Sequence, residues 1–145
     1  MRVLVSACLL GVSCRYDGQS KAYPLVEELC RRHQVVPICP EQLGGLSTPR
    51  TPAERQGERV VTRSGGDVTA QYRRGAEEVV RLAKLLGCTV AVLKERSPSC
   101  GSGQIYDGSF TGTLTDGYGV AAEALQRAGT RVLGESDLAE FLENN

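Results

Sequence analysis

The stretch "SPSCGSGQ" (97–104) sets a cysteine among serines and glycines, directly after the apolar run "TVAVLK" (89–94). A thiol that only filled a core would have aliphatic neighbours, so Cys100 reads as a thiol presented to something. Two more cysteines stand in comparable places: Cys8 follows "RVLVS" (2–6), and Cys39 ends "VVPIC" (35–39). Each runs on into turn-forming residues. If these three apolar runs are parallel strands of one sheet, their carboxyl ends share the edge at which open α/β sheets bind ligands. The topology then gathers three thiols that are far apart in sequence. Such a set suits a zinc ion with water in the fourth position, or an iron–sulfur cluster. A cubane cluster on three protein ligands keeps one iron open as a Lewis acid for a substrate atom. The spacing matches neither a compact ferredoxin pattern nor a zinc finger.

The other cysteines read differently. Cys30 falls at helical spacing with Leu25, Val26 and Leu29, and Cys88 opens the third strand at the opposite edge. Both are expected to be buried small hydrophobes. Cys14, in the first loop near Cys8, is a spare ligand or a thiol on the access route. Nearby glycines (Gly11, Gly44, Gly45, Gly101, Gly103) would let backbone N–H groups approach inorganic sulfides, although tight turns alone also explain them.

The elements that must position these residues follow from periodicity. Helices are predicted over 23–33, 70–87, 118–129 and 136–144, with Gly87 and Gly129 as stop signals. A fourth short strand is predicted at 131–133. Segment 58–69 reads as a hairpin about a Ser-Gly-Gly turn. Near-continuous apolar strands alternating with helices imply a parallel sheet covered on both faces. The expected architecture is a Rossmann-like three-layer α/β sandwich with four parallel strands and a hairpin excursion, in one domain over 1–145. Seventeen basic residues balance seventeen acidic ones, so no global charge argues for nucleic acid or an anionic membrane. The opening "MRVLVSACLL" is too short for a membrane span and lacks the flanks of a signal peptide. A cytoplasmic protein is expected, with thiols reduced, so its six cysteines need a role other than disulfides.

Four longer stretches carry a resemblance: "LVSACLLGVSCRYDG" (4–18), "ICPEQLGGLSTPRTPAE" (38–54), "GGDVTAQYRRGAE" (65–77) and "LKERSPSCGSGQIYDGSFTG" (93–112). Together they resemble a bacterial family long classed as a domain of unknown function, whose characterised members are 2-thiouracil desulfurases. The resemblance implies a [4Fe-4S] cluster with three protein ligands, carried onto Cys8, Cys39 and Cys100. It implies a small thiolated nucleobase as substrate, its sulfur bound at the open iron, and replacement of that sulfur by water without net redox change.

That chemistry asks for a base and a proton donor. Glu41, two residues past Cys39, is the candidate base; a capping or surface role is the plainer alternative. Ser97 is the candidate catalytic hydroxyl, with Ser99 and Asp17 as candidates for substrate binding. Serines before a glycine turn and the "YDG" of Asp17 are also ordinary turn chemistry. Arg50 reads as structural, and His33, the only histidine, as a cation at a helix end. Three other readings stand beside this one. The same cysteines could hold Zn²⁺ for a hydrolysis, or form a closed structural metal site. Alternatively, Cys100 could be the metal-free reactive thiolate of a sulfur carrier or redox protein, activated by Lys94 and Arg96.

Overall fold

The computed structural model describes all 145 residues. In chain order the elements are β1 (Arg2–Ser6), α1 (Leu25–Arg32), β2 (Gln34–Ile38), α2 (Pro40–Leu43), β3 (Ala53–Gln56), β4 (Arg59–Thr62), α3 (Thr69–Leu86), β5 (Val90–Leu93), β6 (Ser102–Tyr106), β7 (Leu114–Tyr118), α4 (Val120–Arg127), β8 (Arg131–Gly134) and α5 (Leu138–Asn144). Short 3₁₀ turns follow β1 and β8.

Four strands pair in parallel in the order β2-β1-β5-β8. Successive strand residues point to opposite faces, which divides the core into two layers. Val3, Val5, Val90 and Val92 pack with Val26 and Leu29 of α1 and with Leu138, Phe141 and Leu142 of α5. Leu4, Ile38, Ala91 and Leu93 pack with Val79 and Ala83 of α3 and with Ala122 and Leu125 of α4. The three-layer sandwich expected from the sequence is therefore present. No helix is long and apolar enough to cross a membrane.

The excursions differ from expectation. The Ser-Gly-Gly turn exists, with Thr62 N–H bonded to Gly66 O, but its second arm makes only a single bridge, Val61 to Asp67. The hairpin proper is β3 with β4, turning at Gly57 (φ +60°). A second antiparallel hairpin, β6 with β7, occupies the glycine-rich segment after Cys100, which reads in sequence as loop. Its residues lack strand periodicity because only Ile105 of β6 is buried. Cys30 is exposed rather than buried. On α1 only Val26 and Leu29 reach the core, and at about 100° per residue Leu25 and Cys30 fall on the margins of that narrow stripe. The ring nitrogens of His33 meet no carbonyl of the helix end. Its ring packs on Phe141 at 5.8 Å, with both nitrogens buried and unpartnered.

One contact sets the site's second wall. Helix α2 crosses α3 at Gly44 and Gly75, where a Cβ on Gly75 would stand 1.9 Å from Pro40 O and one on Gly44 2.0 Å from Gln71 O. The backbones touch, and α2 carries Glu41. A Gly75→Ala substitution must push α2 away, with an overpacking penalty of about 1–3 kcal/mol. The expected result is a melting temperature lower by about 2–8 °C. An unchanged melting curve would show that the crossing is not tight.

Candidate active site

The sheet delivers the three thiols to one edge by three local devices. Cys8 sits in the 3₁₀ turn Ala7–Leu10 that follows β1, and Gly11 in left-handed conformation closes that turn. Cys39 is the N-cap residue of α2, with Pro40 at its first turn. Cys100 lies in a loop whose carbonyls accept the free N–H groups at the start of α4. Val120 N–H donates to Pro98 O, and Ala121 and Ala122 N–H both donate to Ser99 O, at 2.9–3.1 Å. Gly119 N–H donates to Gly101 O at 2.7 Å. From within the loop, Ser97 Oγ accepts the N–H groups of Ser99 and Cys100, each at 3.1 Å.

Cys8, Cys39, Cys100 and also Cys14 line one cavity of about 620 Å³. All are free thiols, and Cys8, Cys14 and Cys100 are buried. Burial pushes the Cys8 thiol up to about 11 and, as the largest effect, the Cys100 thiol up to about 12. Cys14 is raised to about 12 by burial and by its neighbours Cys39 and Cys8. These shifts run against the metal-free reactive-thiolate reading, which needs a depressed pKa. Lys94 is engaged elsewhere, in an ion pair with Glu135 at 2.8 Å. No group of three His, Cys, Asp or Glu side chains is placed to hold a metal ion. Cys39 Sγ lies 3.8 Å from Cys14 O, which sets Cys14 beside Cys39 on the cavity wall.

Glu41 faces the same cavity and is held from several sides. Its Oε1 accepts Arg50 Nε at 3.0 Å, and its Oε2 accepts Ser99 Oγ at 2.7 Å. Burial, then the neighbouring Glu41 carboxylate, raise the Tyr72 hydroxyl far above its ordinary range. Ser99 Oγ stands 3.6 Å from Cys100 Sγ and 3.0 Å from Ser97 Oγ. With the one proton of Ser99 given to Glu41, Ser97 is the donor to Ser99. The hydroxyl in contact with both the carboxylate and the thiol is thus Ser99, and Ser97 stands one step behind it. Asp17 is absent from the cavity lining. Its Oδ1 accepts Gln19 N–H at 3.0 Å, so the turn role accounts for it.

Arg50 makes four hydrogen bonds from one side chain. Besides Glu41 it donates to Ser47 O, Thr48 Oγ1 and Cys14 O, which ties the Cys14 loop to α2. Tyr72 and Ser6 also line the cavity and were not singled out by the sequence. Tyr72 is hidden in the helical pattern of α3. Ser6 ends β1 as a strand residue, with its hydroxyl accepting Lys94 N–H at 2.9 Å. Both fall inside the resembling stretches, which is the one sequence signal they carry.

A profile of the 2-thiouracil desulfurase family matches residues 3–137. The chain belongs to that family. Among solved structures, a [4Fe-4S]-dependent thiouracil desulfidase, TudS, superimposes with a TM-score of 0.94 at 49% identity, covering 99% of this chain and 96% of that one. The uncharacterised protein YbbK of Bacillus subtilis (strain 168) is 44% identical over 150 residues, 97% of this chain and 99% of its own length.

For a member of the desulfurase family, the donor set agrees with an iron–sulfur group. It consists of soft thiols only, and Cys8 and Cys100 are buried where bare thiolates are unfavourable and where a cationic metal core would stabilise them. The scaffold beside it makes a separate prediction. Arg50→Ala leaves the Glu41 carboxylate buried without its cation, and loss of one partner from a buried pair destabilises by about 3–5 kcal/mol. Chemical denaturation should read a loss in that range, with Arg50→Lys recovering only part because it cannot span Glu41 and Cys14 O together. A loss below about 1 kcal/mol would mark the pair as an ordinary surface contact.

Proposed function

We propose that this protein replaces the sulfur of a thiolated pyrimidine such as 2-thiouracil by oxygen, without net redox change, using a [4Fe-4S] cluster held by Cys8, Cys39 and Cys100. The observation that carries the reading is the convergence of those three thiols with the Glu41–Ser99 pair on one cavity. The 49% identity to a [4Fe-4S]-dependent desulfidase supports it.

When bound through three cysteines, the cluster supplies an open iron that attracts a soft thiocarbonyl sulfur and polarises its bond to carbon. The chain's own residues do the rest. Glu41 is the base that takes a proton from the attacking water. Arg50, fixed by Ser47, Thr48 and Cys14, orients the carboxylate so that its second oxygen faces Ser99. Ser99, between Glu41 and the Cys100 sulfur, is placed to pass a proton toward the leaving sulfur, and Ser97 replenishes it. The balance closes: one water is consumed, carbon–sulfur is exchanged for carbon–oxygen, and sulfur leaves as hydrosulfide.

Anaerobically prepared protein should contain about four irons and four sulfides per chain and convert 2-thiouracil to uracil with release of an equal amount of sulfide. Alanine at Cys8, Cys39 or Cys100 should remove the iron and the activity together. Glu41→Gln and Ser99→Ala should keep the iron while lowering kcat, by about 10²-fold or more for Glu41. Protein that binds no iron after reconstitution, or that keeps both iron and turnover in the Cys100→Ala variant, would contradict the reading.

A further inference from the structure

Two residues other than glycine take up left-handed backbone, Arg96 (φ +68°) and Phe110 (φ +59°), and both line the cavity. Such conformations persist only where the surroundings over-determine them, and they gather at ligand clamps. For Phe110 the surroundings are explicit. Glu54 on β3 is buried, and its Oε1 accepts Gly108 N–H at 3.0 Å and Phe110 N–H at 3.1 Å. Gln56 Nε2 donates to Gly108 O at 2.8 Å. Gly108 (φ +92°) lies so close to β3 that a Cβ there would stand 2.6 Å from Gln56 Cγ and 2.9 Å from Arg55 O. Inside the loop, Asp107 N–H donates to Thr113 O at 2.9 Å, and Asp107 Oδ1 accepts Ser109 N–H at 2.9 Å.

The β6–β7 loop (107–113) is therefore docked on the β3–β4 hairpin rather than free. What the docking fixes is one aromatic ring. Phe110 is half-buried, and the Arg63 guanidinium, from the end of the same hairpin, stands 5.8 Å from its centroid. A phenyl ring and a guanidinium are both flat groups that pack well against a planar heterocycle. Simple packing of two hairpins would require neither a buried carboxylate bonded to two loop amides nor an aromatic residue in left-handed backbone.

We infer that Phe110, with Arg63, forms the wall against which the pyrimidine ring of the substrate lies, and that Glu54 is the positioning residue that holds Phe110 in place. The inference takes the planar shape of the ligand from the desulfurase reading. Beyond that reading, it names the residues that select for an aromatic heterocycle.

The test uses the iron-loaded holoenzyme with uracil as a non-reacting probe, read by calorimetry, beside steady-state kinetics with 2-thiouracil. Phe110→Leu keeps apolar bulk but removes the π face. It should weaken uracil binding and raise KM by on the order of tenfold, as expected for loss of base–aromatic stacking. Iron content and kcat should stay near wild type, and Phe110→Tyr should bind as wild type does. Glu54→Ala should shift binding in the same direction and lower hydrogen-exchange protection at the Gly108 and Phe110 amides. Phe110→Leu binding uracil as tightly as wild type would overturn the inference and leave the desulfurase reading standing. Wild-type holoenzyme that binds neither uracil nor 2-thiouracil would overturn it as well. Wild-type protein that shows the Phe110 dependence of uracil binding but no turnover would support the wall and defeat the desulfurase reading alone.

Discussion

The site depends on the burial of β1. Val3, Leu4 and Val5 are fully inaccessible, and the strand is paired in parallel on both sides, to β2 through Ser6↔Ile38 and to β5 through Val5↔Val92. A strand so enclosed cannot slip by one residue without exchanging Val3 and Val5 for Leu4 between two different helical layers. Its register is thereby fixed, and with it the heights at which β2 and β5 end. Cys8, Cys39 and Cys100 leave those three strands at the edge where the strand order reverses, the usual ligand site of an open α/β sheet. The chain crosses from β2 to β5 over β1, so no single loop has to carry the whole site.

Around that edge the protein separates two chemical duties. The cysteines are placed by backbone: a 3₁₀ turn, an N-cap position, and a loop stitched to the start of α4. The polar machinery is placed by side chains, with Arg50 as its centre. One guanidinium reaches Glu41, Thr48 and two backbone carbonyls. This division has a physical logic. A metal cluster tolerates only small displacement of its ligands, so they are best held by secondary structure. A base has to meet a water and a proton acceptor, so it is best held by a planar, multiply bonded partner.

Much of this was legible in the sequence, for identifiable reasons. The parallel strands declare themselves because they are buried on both faces and therefore continuously apolar. Once they are placed, the topology gathers Cys8, Cys39 and Cys100. The hairpins were hidden because little of them is buried. β3 reads "AERQ", β6 reads "SGQIY", and their pairing rests on backbone bonds within local hairpins rather than on an apolar face. Cys30 misled because a helix margin and a helix core position share the same local spacing. That Glu41 would face the cavity could be read from its distance to Cys39, whereas which serine meets its carboxylate needed the rotamers: Ser97 Oγ accepts two backbone N–H groups while Ser99 Oγ turns to Glu41. Glu54 and Phe110 lie inside the resembling stretches but carry no other signal, since the significance of each lies in a contact between residues 54 and 110.

The central claim is that one iron of a cluster on three cysteines is open and takes the substrate's sulfur. Mössbauer spectroscopy of protein loaded anaerobically with ⁵⁷Fe, before and after addition of 2-thiouracil, tests it most directly. The account predicts that roughly one quarter of the iron absorption, from the one iron in a cubane without a cysteine, differs from the rest and shifts on addition. Four equivalent irons that remain unchanged while 2-thiouracil is being converted would contradict it.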